Sequence, residues 1–188
     1  MLALLKASYA RLPKVERPAL EVLLAGYFRI SRTDGLIRHA MARADDGDDF
    51  EFWSRAAQEE HGHADLYRAD LLESLGAGVV EDIAAYVPSP SAVALLAWAD
   101  ESNRNAALYR LYLEYHLCRA DADAVAALAR FLPRSMAVHR AADPVHVADC
   151  ADYLARFGGD FADDIGFIEH CLGEEMRHIG LVRGVVTT

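Results

Sequence analysis

Three short patterns of histidine and carboxylate stand out in this chain, each at a spacing that suits a helix. The first is Glu60 and His63 in AAQEEHGHADLYRADL. Residues three apart on a helix project within about 60° of each other and one turn apart, so a carboxylate and an imidazole there can reach one ion. On an exposed face the same pair is an ordinary surface pair. Glu59 and His61 fall on other faces and read as surface residues. The second pattern is His139, Asp143 and His146 in AVHRAADPVHVADC. Steps of four and three keep all three within about 60°, so one face presents two nitrogens and an oxygen. Non-haem Fe(II) sites use that ligand set and leave positions open for O₂ or substrate. A helix start at Asp143-Pro144 with both histidines exposed explains the same residues without a metal. The third is Glu114 in ALYRLYLEYHL, among leucines and tyrosines. Burying an unpaired carboxylate costs several kcal/mol, which predicts a metal or a buried arginine such as Arg110 beside it, unless the position is exposed.

These residues need helices to hold them, and strand patterns with period-two alternation are almost absent. Apolar periodicity predicts a helix over about 14–44, with Gly26 and Gly35 as weak points. The cluster Asp45, Asp46, Gly47, Asp48, Asp49 reads as a turn and N-cap for a helix over about 49–75, stopped by Gly76-Ala77-Gly78. VVEDIAAYVPSPS is a connector, followed by a helix over about 91–119 with a weak point at Asn103 to Asn105. Asp121 is expected to cap a short helix to Leu132, Pro133 to open one reaching Phe157, and Asp160 to start a last one ending near Val182. Pro144 inside the penultimate helix predicts a kink or unwinding between Arg140 and Pro144. The whole is one all-α domain over 1–188, an antiparallel bundle of six to seven helices, and such bundles place metal sites between facing helices.

Charge and composition exclude several functions. With 53% hydrophobic and 26% charged residues, the 188-residue chain is neither a disordered tail nor a fibre. A net charge of −10 without a Lys/Arg run disfavours nucleic acid. No uncharged 18-residue stretch and no signal-like leader occur, so no membrane is expected. Cys118, Cys150 and Cys171 form neither an even set nor a CxxC pair, which argues against a disulfide framework or zinc ribbon and fits a cytoplasmic protein.

The ordered set Glu60-x-x-His63, Glu114 and His139-x-x-x-Asp143-x-x-His146 resembles the haem-oxygenase-like di-iron oxidases, related in fold to the TenA and PqqC proteins. The likeness spans about residues 50 to 157. It implies a haem-oxygenase-like helical bundle in which Glu60, Glu114 and Asp143 bridge or cap two Fe(II) ions per chain and His63, His139 and His146 supply nitrogen. Many relatives place the first carboxylate seven residues before the histidine, where this chain has Ala56; its E-x-x-H spacing looks like that of the alkene-forming fatty-acid oxidase branch. The resemblance implies an enzyme that uses O₂ to oxidise an amino acid-like or fatty acid-like substrate by oxidative cleavage, desaturation or N-oxygenation. An external electron donor and a homodimer are compatible with it. Tyr67 and the tyrosines from Tyr109 to Tyr115 are expected around the pocket or in the core.

Other readings remain at this point. Glu175 and His178 form a second E-x-x-H, so a ferritin-like site could use Glu60, His63, Glu175, His178, Glu21 and Glu114; otherwise Glu174, Glu175 and His178 are a polar face at the pocket mouth or surface. Cys118, one turn after Glu114, could serve a metal-free hydrolase of the TenA kind. A non-catalytic binding or scaffold protein on the same fold is the last alternative.

Overall fold

The computed structural model describes residues 20–118 and 122–179, and no strand occurs among the described residues. The helices are α1 (Leu20–Ala42), α2 (Gly47–Glu60), α3 (His63–Leu75), α4 (Val79–Ala85), α5 (Pro90–Ala99), α6 (Asn103–Cys118), α7 (Ala122–Ala129), α8 (Pro133–Ala155) and α9 (Ala162–His178). The all-α bundle is as expected. Residues 14–19, the Asp121 cap and the predicted end near Val182 lie outside the described residues.

Local signals account for most boundaries. Asp46 caps α2 by accepting from the Asp49 amide at 2.7 Å, as the acidic cluster predicted. Ser89 caps α5 in the same way, with Pro90 in the first turn, and Gly76 follows the last residue of α3. Two expected long helices are each divided in two. The predicted 49–75 helix breaks at His61–Gly62, where Gly62 has φ 84°, a left-handed conformation that glycine adopts without a Cβ penalty. The predicted 91–119 helix ends at Ala99 and resumes at Asn103. Conversely, α8 stays helical through Pro144, so the expected unwinding does not occur. Asp143, His146, Cys150 and Leu154 are all buried along its inner side, and that packing holds the helix against the proline's missing donor.

Two apolar cores form among the described residues. One gathers the second half of α1 with α2, α5, α6, α8 and α9; the other joins the first half of α1 to α3, α7 and the start of α8. Gly26 of α1, rather than being a weak point, lets the Tyr67 ring approach: a Cβ there would collide with the hydroxyl, which donates to the Leu23 carbonyl at 3.1 Å. The residues at the junction of the two cores are polar. Glu60 lies between Ala56 and Tyr67, and His139, Asp143 and His146 lie between Met136 and Cys150, each pair flanking from opposite cores.

Polar ties fix the helices that carry these residues. Asp70, fully buried on α3, accepts from the Ser135 amide at 2.8 Å and from Arg134 Nε at 2.7 Å, which satisfies the first turn of α8. Replacing Asp70 by alanine leaves the Ser135 amide without its acceptor and is expected to cost about 1–3 kcal/mol in urea denaturation. Near the other end of α8, Tyr153 donates to Asp49 of α2, and Trp53 Nε1 donates to the Tyr153 hydroxyl at 3.2 Å. No single helix among the described residues is long and apolar enough to cross a membrane.

Candidate metal centre

Glu60 ends α2 and His63 begins α3, and the pair meets across the Gly62 break rather than along one helix face. His63 Nδ1 lies 2.8 Å from Glu60 Oε2. From α8, His139 Nδ1 lies 3.2 Å from Asp143 Oδ1, and the His139 ring stands edge-on to that of His63 with centroids 5.1 Å apart. Glu114 projects from α6 toward the same place, its Oε1 lying 3.2 Å from His146 Nδ1. The six residues singled out from sequence are therefore brought together by four helices.

Five of them fall into two groups. Glu60, Glu114 and His146 form one, and Glu114, His139 and Asp143 the other; within each, one ligand atom per residue lies within 4.8 Å of the others. Glu114 belongs to both. His63 stands against both through Glu60 and the His139 ring. Asp143 is 1% exposed, and its Oδ2 is buried without a hydrogen-bond partner among the described residues. A desolvated carboxylate oxygen with no donor suits a cation, so the residues present fit a metal.

Two charged neighbours complete the cluster. Arg110, expected as a partner for Glu114, is 4% exposed and places Nε 3.6 Å from Glu114 Oε1. Its Nη2 lies 3.4 Å from Glu60 Oε1 and 3.2 Å from Glu59 Oε2. Glu59 is not the surface residue the sequence suggested: it is half-buried, and its Oε2 also lies 3.3 Å from His146 Nε2. Its signal in the sequence is the step of four and three from Phe52 and Ala56, both buried on α2.

Protonation follows from these contacts. Burial pushes Asp143 up to about 6, against the pull of His139 and with the push of Glu114. Burial acts upward on Glu114 as well, but His146, Asp143 and Arg110 outweigh it and hold the carboxyl below its ordinary range. For His139 and His146, burial acts downward, yet Asp143 on the first and Glu114 on the second keep both above the usual imidazole value. Without a cation, Asp143 thus holds a proton beside Glu114 only below about pH 6. Its raised value favours the metal-free protein at low pH, a contribution lost as pH rises through about 6. A divalent ion has the opposite sign, since it needs the carboxylate: below pH 6 its affinity is expected to fall about tenfold per pH unit for each proton displaced, read by Mn(II) titration between pH 5 and 8.

A cavity of about 420 Å³ opens beside the cluster, with Glu60, Arg110, Glu114 and His139 on one wall and Ile30, Leu113, Leu117, Leu128, Leu132 and Met136 among its apolar lining. Tyr67 and Tyr109 line it; Tyr112 and Tyr115 belong to the core. A second cavity of about 370 Å³ is lined by Asp143 and Pro144 of α8, by residues of α7 and by Leu117 and Cys118 of α6. The ferritin-like arrangement lacks its parts: His178 and Glu21 are exposed, and Glu175 is paired with Arg29. Glu175 is buried, not at the surface as expected.

No family model matches the chain, and neither does any curated protein or solved structure. Buried glutamate, aspartate and histidine groups able to hold a metal ion are what the site offers.

Proposed function

We propose that the protein is a non-haem iron oxidase of the haem-oxygenase-like kind, which uses O₂ to oxidise a small substrate. The observation that carries the reading is a pair of buried ligand groups sharing Glu114 at the wall of an apolar cavity. Carboxylates and imidazoles suit iron and leave positions open, and iron held by them supplies the electrons with which O₂ is reduced. The chain's own residues do the rest. Leu113, Leu117, Leu128 and Met136 keep water from the cavity and bind a hydrocarbon part, while Asp70 and Tyr153 hold α8 at a fixed height against α3 and α2. The substrate class is fatty acid-like or amino acid-like, with oxidative cleavage, desaturation or N-oxygenation as the reaction, and an external reductant is compatible with it.

The test starts from metal-free protein loaded with Fe(II) under anaerobic conditions and then mixed with O₂ and panels of fatty acids and amino acids. O₂ uptake that depends on one class of substrate, and that disappears in His139→Ala with helicity retained, is the expected result. Uptake indifferent to chelators and to His139→Ala would contradict the reading.

A further inference from the structure

The two ligand groups differ in what already neutralises them. Around Glu60, Glu114 and His146 a cation is in place: the Arg110 guanidinium touches Glu60 at 3.4 Å and Glu114 at 3.6 Å, and Glu59 holds the same Nη2 at 3.2 Å. His146 there has both ring nitrogens engaged, Nδ1 by Glu114 and Nε2 by Glu59. In the other group, among the described residues, no lysine or arginine lies within ion-pair distance of Asp143; its partner is His139. The Asp143 Oδ2 is buried and has no hydrogen-bond partner among the described residues.

A guanidinium cannot vacate a site by losing its proton, as an ammonium can. Arg110 is nearly fully buried and anchored by three carboxylates, so leaving would strand Glu59, Glu60 and Glu114 as well as expose the arginine stem. An ion at the centre of Glu60, Glu114 and His146, whose ligand atoms span no more than 4.8 Å, would press against a like charge that already contacts two of the three.

We propose that this is a one-metal centre: a single divalent ion binds at Glu114, His139 and Asp143, and the Arg110 guanidinium permanently fills the place of a second. The inference rests on the metal reading above and departs from the two ions that the family resemblance implies. With one divalent ion and Arg110 the carboxylates of Glu59, Glu60, Glu114 and Asp143 keep a net negative charge, and a second divalent ion would reverse its sign beside the buried guanidinium.

The experiment uses Mn(II) as the probe, with equilibrium dialysis for the count and electron paramagnetic resonance for the arrangement. Wild-type protein is expected to bind one ion and to give the six-line signal of an isolated Mn(II). Arg110→Met, which removes the charge and keeps much of the stem, is expected to melt earlier without metal, to recover with Mn(II), and to bind two ions with the exchange-coupled signal of a close pair. Arg110→Lys, which keeps the charge, should stay at one. A variant weakened only structurally would lose binding, not gain an ion. Two ions in the wild type would overturn the inference and leave the metal reading standing, and that result needs no variant to fold. One ion in both wild type and Arg110→Met would show that Arg110 excludes nothing. No ion in either would overturn both.

Discussion

The Glu114→Ala protein is expected to retain no divalent metal, with affinity lowered by at least about 100-fold, because Glu114 is the residue common to both ligand groups. Neither ligand group can form without it. Loss of the carboxylate also frees His146 Nδ1 and one contact of Arg110, but Arg110 keeps Glu59 and Glu60, so the stability cost stays at about 1–3 kcal/mol. Glu114→Gln separates the two effects. It keeps the shape and loses the charge, and its metal affinity should fall nearly as far while its denaturation midpoint moves less. Metal content after desalting, alongside far-ultraviolet circular dichroism, checks both variants.

The largest stability effect is expected at Trp53. Its indole is fully buried, packed edge-on to Phe52 with centroids 4.9 Å apart and to Tyr153 at 5.6 Å. Truncation to alanine removes that volume from the larger core and should cost about 3–5 kcal/mol in urea denaturation. The consequence reaches the metal centre through the geometry of the chain. Trp53 stands two turns before Glu60 on α2, and Tyr153 two turns after His146 on α8, roughly 10 Å along each helix. Loosening this contact lets α2 and α8 separate at one end, so Trp53→Ala should also weaken Mn(II) binding. Tyr153→Phe removes the hydrogen bond to Asp49 but keeps the stacked ring 4.1 Å from Phe52, and a smaller loss of about 1–3 kcal/mol is expected.

The candidate ligands were legible because their residue types fall at helical spacing in one ordered set along the chain. His139, Asp143 and His146 share one helix face, and steps of four and three are visible without coordinates. Glu114 was legible for a different reason: a carboxylate inside an apolar stretch needs a partner, and Arg110 one turn before it is that partner. The Glu60 and His63 pair was found by an argument that the fold does not follow. The helical pattern continues across residues 61 and 62, but Gly62 turns the chain, and the two side chains meet around the turn. Glu59, still within α2 and on the face of the buried Phe52 and Ala56, reaches Arg110 and His146 from the helix itself.

Long-range pairing explains the other departures. Glu175 belongs to an E-x-x-H that looks like a second ligand pair, yet Arg29 from α1 claims it while His178 faces outward. Nothing local to α9 announces an arginine from the opposite end of the chain. Pro144 carries a penalty that local reasoning weighs alone. In the bundle that penalty is set against burial of Asp143, His146 and Cys150, and the helix persists.

The most direct measurement is Mössbauer spectroscopy of isotopically enriched iron, with wild type and Glu114→Ala loaded as Fe(II) without oxygen, desalted, and then exposed to O₂ together with the substrate class that supports uptake. Wild-type protein should retain high-spin ferrous iron in a single kind of site and convert it to ferric iron on exposure, while Glu114→Ala retains none. Iron that washes off both proteins alike, or that stays on both with the same spectrum, would contradict the account.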